Sequence, residues 1–241
     1  MMNQNSNNNP ENPDENKSRS VEEKTLAVRT ALQQGAAVGE QALVAIADMA
    51  GDEAAKEVIE TLTGAEVAAV AGEYDMTIPS LVHSCASPKQ FQEAFKKFGL
   101  RWPLMDEQEI GGVLKSRQRD LEAFLCPMVC TGDESRATEM LKALSEHELA
   151  ADAMVFTGIG RPGYAERLQD PSSPSGSVGD FEELYAKTAE FNPELWAEVQ
   201  ALAQDLQEEG NVFEFAAEFC ARLSETEEAV AIQESETFLD I

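Results

Sequence analysis

Apolar residues recur along this chain at intervals of three and four, the spacing that lines one face of a helix. Ala42, Leu43, Ala45, Ile46 and Met49 form one such stripe, Phe91, Ala94, Phe95 and Phe98 another, and Phe213, Ala216, Ala217 and Cys220 a third. Capping residues and breakers divide the pattern into helices. Ser20-Val21-Glu22-Glu23 reads as a capping box opening a helix to about Gln34, which Gly35 ends; a second helix covers 36–50. Helices are predicted over 52–62 and 64–74, then a short one from Pro79. Ser87-Pro88-Lys89-Gln90 joins a capping Ser, Pro at the first helical position and Gln at the box position. Gly99 closes that helix and Trp102-Pro103 makes a turn. A long helix is expected from about Asp106 to Phe124, interrupted at Gly111-Gly112 and stopped before Pro127.

Asp133 caps a further pair over 134–144 and 146–156, followed by a turn with Gly158, Gly160, Pro162 and Gly163. Residues 170–179 read as a flexible loop. Asp180, Asn192-Pro193 and Asn211 each open another helix, and Ser224-Glu225-Thr226-Glu227 is one more capping box. The predicted class is all-α: a multi-helical bundle without a sheet.

One stretch occurs twice. At a constant offset of 82, Ala55/Ala137, Glu57/Glu139, Leu62/Leu144, Glu66/Glu148, Ala68/Ala150 and Ala69/Ala151 are identical. Val58/Met140, Ile59/Leu141, Thr63/Ser145 and Val67/Leu149 are conservative exchanges. Each copy reads as a helix, a Thr or Ser with Glu three residues later, and a second helix, so each is a hairpin with a capping box at its bend. At an offset of 90, Phe91–Gly99 parallels Phe181–Ala189, and Cys130 meets Cys220. The chain therefore divides into a polar, disordered start (1–19), a first helical unit with a leading helix pair (20–133), a second unit (134–228) and an acidic tail (229–241).

Composition narrows the picture. At 43% apolar the chain can build a core, and at 7% aromatic its small side chains suit closely packed helices. With 45 acidic against 18 basic residues, the net charge of −27 repels phosphate backbones and anionic lipid. Direct nucleic-acid and membrane partners are disfavoured, and basic segments of other proteins are favoured. The start lacks a secretory pattern, and no stretch approaches the roughly 18 apolar residues that span a bilayer. Four unpatterned cysteines agree with a reducing cytoplasm.

Motifs for catalysis are missing: no phosphate loop, nucleophile elbow, zinc-protease helix or calcium loop occurs. His83-Ser84-Cys85 with Cys126 and Cys130 offers four zinc donors at a poor spacing, against core thiols as the plainer reading. No catalytic residue, metal ligand or cofactor is assigned. One window breaks the acidic pattern. Lys89 to Asp120 holds seven bases (Lys89, Lys96, Lys97, Arg101, Lys115, Arg117, Arg119) against five acids. It reads either as intramolecular pairing or as a docking face for an acidic partner or a second copy. The tail ends in Phe238, Leu239 and Ile241 among acids, which reads as a frayed helix end or as a linear hook for a partner's groove.

The run Ala42 to Tyr74, and especially Ala55 to Val67, resembles the helical hairpins of the flagellar rotor switch protein and the cytosolic N-terminal helical domains of magnesium channels. Both use an Ala-x-Glu-apolar-apolar-x-x-Leu-Ser/Thr-x-x-Glu-apolar hairpin. The resemblance covers about 30 residues and carries over no torque-generating or ion-sensing residue. It implies an all-helical assembly module.

The function expected from these observations is a non-enzymatic protein-interaction module: an adaptor, a scaffold or a client-specific chaperone. Lys96, Lys97, Arg101, Trp102, Phe238, Leu239 and Ile241 are its expected partner-binding residues. Two other classes stay open, an acidic mimic of nucleic acid that occupies a DNA-binding protein, and a thiol- or zinc-dependent enzyme.

Overall fold

The computed structural model describes residues 20–73, 80–169, 180–208 and 210–225. The predicted tail, the loop at 170–179, the start at 1–19 and Pro79 lie outside the described residues. The described residues form thirteen α-helices and one 3-10 turn, and contain no strand. In chain order the helices are α1 (Val21–Leu32), α2 (Ala36–Ala50), α3 (Asp52–Glu60), α4 (Gly64–Glu73), α5 (Leu81–Cys85) and α6 (Pro88–Phe98). The 3-10 turn (Gly99–Arg101) leads to α7 (Glu107–Val129), α8 (Glu134–Ser145), α9 (Ala150–Gly158) and α10 (Tyr164–Gln169). Then come α11 (Asp180–Phe191), α12 (Pro193–Glu208) and α13 (Val212–Ser224).

Helix starts follow the capping chemistry. Ser20, Ser87 and Asp106 each complete a capping box with the residue three positions on, while Asp133 and Asn211 accept from the first-turn amides of their helices. Three expectations fail. The break at Gly111-Gly112 is absent, and α7 runs on through Pro127 to Val129. A proline inside a helix costs about 3 kcal/mol. Leu125, Cys126, Met128 and Val129 around it are almost wholly buried. Full burial of a large apolar side chain stabilises by about 1.5–3 kcal/mol, so together they outweigh the lost bond. At the second bend, Ser145 does not cap: α8 continues through it, and its hydroxyl donates to the Lys142 carbonyl at 2.9 Å. Ser224 is the last residue of α13, and Thr226 and Glu227 of its predicted box lie outside the described residues.

The helices share one apolar cluster that extends from Val28 to Leu223. α7 lies at its centre, packed against α4 and α5 on one side of the chain and α8, α9, α11 and α13 on the other. The first and second units therefore bury against a common helix. Matched positions of the two copies have matched burial: Ala55/Ala137, Val58/Met140, Ile59/Leu141, Leu62/Leu144, Val67/Leu149 and Ala68/Ala150 are all inside. Side-chain amides close helix ends within this core. Gln90 Nε2 donates to the carbonyls of Ile59 (2.6 Å) and Leu62 (2.8 Å), and Gln118 Nε2 to those of Phe156 (2.8 Å) and Ile159 (2.6 Å). Each pair satisfies carbonyls that a helix C-terminus leaves without an intrahelical donor.

Candidate protein-docking face

The basic window is built where α6 stops. Lys96 and Lys97 occupy the last turn of α6, where cations complement the helix dipole. The next residue must be small: a Cβ on Gly99 would stand 2.3 Å from the carbonyl oxygen of Leu223. This contact joins the 3-10 turn to the end of α13. The Ser224 hydroxyl reinforces it, directed at the carbonyls of Cys220 (2.7 Å) and Gly99 (3.0 Å).

From Gly99 the chain runs back along α13 in the opposite direction. Gly99 meets Leu223 at the end of α13, and Glu107 accepts from Asn211 Nδ2 at 2.7 Å at its start. Two side chains of this segment find no place in the core: Leu100 is 42% exposed and Leu104 is 64% exposed. Phe213, in the first turn of α13, is 45% exposed and borders a shallow recess with Asp106, Glu107, Gln108 and Gly111. The strip thus carries bases at its Gly99 end and acids at its Asn211 end.

The expected partner residues separate by environment. Lys96 and Arg101 are exposed and Lys97 is half-buried. The Arg101 guanidinium lies 4.1 Å above the Phe98 ring, a geometry that holds the charge at the surface over apolar carbon. Trp102 is not a surface anchor. It is 8% exposed, edge-on to Phe98 at 5.3 Å, and faces the buried Arg117 guanidinium at 5.1 Å. Its indole completes the core where the chain leaves α6. Arg117 itself donates to the Pro103 carbonyl at 2.5 Å, so it braces the Trp102-Pro103 turn and offers nothing to a partner. Phe91 and Phe95 are fully buried against Phe124. Phe238, Leu239 and Ile241 lie outside the described residues.

Electrostatics mark the same area. Burial lowers the pKa of His147; the charge of Lys96 adds to the effect, that of Glu148 opposes it and that of Arg222 adds to it. His147 is edge-on to Phe95 at 4.8 Å, and its Nδ1 accepts from the Leu149 amide. Burial raises the Asp120 carboxyl despite the opposing charges of Arg101, Arg119 and Arg117. Lys96 and Arg222 thus act on one ring, and Arg101, Arg119 and Arg117 on one carboxyl.

His83, Cys85, Cys126 and Cys130 do not assemble a metal site: among the described residues no three His, Cys, Asp or Glu side chains are grouped as ligands. Burial brings His83 down to about 4, against a backbone hydrogen bond at Ala71 that favours the charged form, and burial raises the Cys85 thiol. Arg136 Nη2 donates to the His83 carbonyl at 2.8 Å, and the buried Glu40 accepts the Leu81 amide at 2.8 Å. These contacts fix α5 between α2 and α8.

Leu100 and Leu104 were not singled out by sequence reasoning. The available signal was two leucines between a helix-ending glycine and a helix-opening aspartate, outside every apolar stripe. Compared with models of known families, with curated proteins and with solved structures, the chain matches none.

Proposed function

We propose that this chain is a non-enzymatic protein-interaction module, an adaptor, scaffold or client-specific chaperone of the cytoplasm, which docks partners on the strip beside α13. The observation that carries this reading is the pairing of exposed Leu100 and Leu104 with exposed Lys96 and Arg101 in a molecule of net charge −27. Apolar side chains at the centre of an interface supply binding energy, and local charges of opposite sign steer encounter and fix register. The partner segment that fits has apolar side chains flanked by carboxylates. A rigid support favours such docking, and Trp102, Phe98 and Arg117 provide it from below.

The test is site-specific photo-crosslinking in cells that express the protein. A photoreactive residue at position 104 is expected to yield discrete adducts, and one at exposed Asp205 on α12 to yield none of them. Lys96→Glu is expected to weaken the adducts at 104. Identical adducts from both positions, or none from 104, would count against the reading.

A further inference from the structure

We propose that residues 226–241 of this chain are the resting occupant of the strip between Lys96 and Leu104, and that a partner must displace them. The inference rests on the docking reading for the identity of the face, and it names the chemistry that competes there. Three observations carry it.

The first is where the chain goes. The described residues end at Glu225, and the neighbouring Ser224 is held against Gly99, the first residue of the strip. Residues 226–241 therefore begin beside the face. Leu104 lies five residues past Gly99, at most about 17 Å along an extended chain. The 13 residues from Glu225 to Phe238 cover about 20 Å even if helical, so reach is sufficient.

The second is charge. Residues 226–241 contain Glu227, Glu228, Glu234, Glu236 and Asp240 and no Lys, Arg or His. Over the whole chain acids outnumber bases 45 to 18, whereas the end of α6 and the turn after it carry Lys96, Lys97 and Arg101. A second copy brings the full −27 with it and is opposed by the same repulsion.

The third is the match of apolar residues. Val230, Ile232, Phe238, Leu239 and Ile241 are spaced among those acids, and the face exposes Leu100 and Leu104. Because the segment is tethered, its effective concentration at the face is of millimolar order, so weak docking suffices.

Hydrogen exchange on the purified full-length protein, read by mass spectrometry, tests this. At low salt, amides of 229–239 should exchange about tenfold more slowly than in a free 226–241 peptide, and Leu100–Leu104 should gain protection that 0.5 M salt reduces. The double variant Lys96→Glu with Lys97→Glu, checked for an unchanged helical spectrum, should release the segment to the peptide's rate. The control Lys89→Glu with Lys142→Glu makes the same charge change at the other end of α6 and on α8, and should leave protection intact.

Peptide-like exchange in the wild type, or equal protection in both double variants, would overturn the proposal. So would protection that rises with protein concentration together with a doubled mass, which assigns the face to a second copy. A docked segment with no adduct at 104 in cells removes the partner reading alone. Adducts at 104 with a freely exchanging segment remove this inference alone.

Discussion

The two hairpins, α3–α4 and α8–α9, bury the same positions and bend differently. In the first, Thr63 and Glu66 complete the capping box: Thr63 N–H donates to Glu66 Oε2 at 2.8 Å, and Glu66 N–H to Thr63 Oγ1 at 3.2 Å. In the second, Ser145 stays helical, and α9 starts only at Ala150, where no side chain caps it. The residue after the capping position differs. A Cβ on Gly64 would stand 2.4 Å from Glu93 Cβ and 2.8 Å from the Glu93 carbonyl carbon, so α4 begins in backbone contact with α6. The matched residue in the second copy is Glu146, which cannot approach that closely and instead accepts from Gln92 Nε2 at 2.7 Å on the surface. The bend opens, and α9 packs chiefly on α12, whereas α4 packs chiefly on α6. Matched apolar spacing accompanies matched burial, while the partners of the second helix differ.

The largest effects should ignore this difference. Ile59 and Leu141 are both fully buried, so Ile59→Ala and Leu141→Ala should each cost about 2–5 kcal/mol and agree within about 1 kcal/mol. Urea denaturation followed by circular dichroism measures both. A loss confined to one copy would show that equal burial hides unequal packing.

Gly64→Ala against Glu146→Ala should then separate the copies. Alanine favours a helix over glycine by about 1 kcal/mol. At Gly64 that gain is overcome, because the atoms it meets are Glu93 Cβ and carbonyl carbon and Ala94 N, none of which can rotate aside. Overpacking of this kind costs about 1–3 kcal/mol. Exposed Glu146→Ala should stay within about 0.5 kcal/mol. Equal effects would mean that Gly64 does not set the α4–α6 approach.

Most of the helices were legible because their signals are local. The apolar stripes and the caps at Ser20, Ser87, Asp106, Asp133 and Asn211 act within four residues, and each is found as its pattern predicts. What failed depended on distant neighbours. Pro127 was outweighed by burial against other helices. The amide of Gln90 reaches carbonyls 28 and 31 residues away, a pairing with no sequence trace. The proposed docking face was half legible. Its bases stood out against an acidic chain, whereas Trp102, conspicuous by type, went inside, and Leu100 and Leu104, unremarkable by type, stayed out. Residue type predicts burial only on average.

The smallest effect isolates the bend chemistry itself. Glu66 carries the first capping box and also accepts from Arg29 Nε at 2.8 Å. Burial alone would raise its pKa; the hydrogen bonds of Arg29 and Thr63 and the Arg29 charge outweigh burial and hold it below the usual value. A carboxyl depressed on folding stabilises fully above its unfolded pKa, near about 4.3, and loses that contribution as pH falls through the folded value. The Arg29 and Glu66 side chains are 41% and 24% exposed, so solvent screening limits the gain. Glu66→Gln should therefore cost about 0.5–1 kcal/mol at pH 7, and the gap from wild type should close as pH falls below about 4. Exposed Glu148→Gln, at the bend that forms no box, should stay within about 0.5 kcal/mol. Urea melts of the two variants at pH 7 and pH 3 decide the matter. If Glu148→Gln costs as much as Glu66→Gln, or if the Glu66→Gln gap persists at pH 3, the ionised capping box is not what distinguishes the first bend from the second.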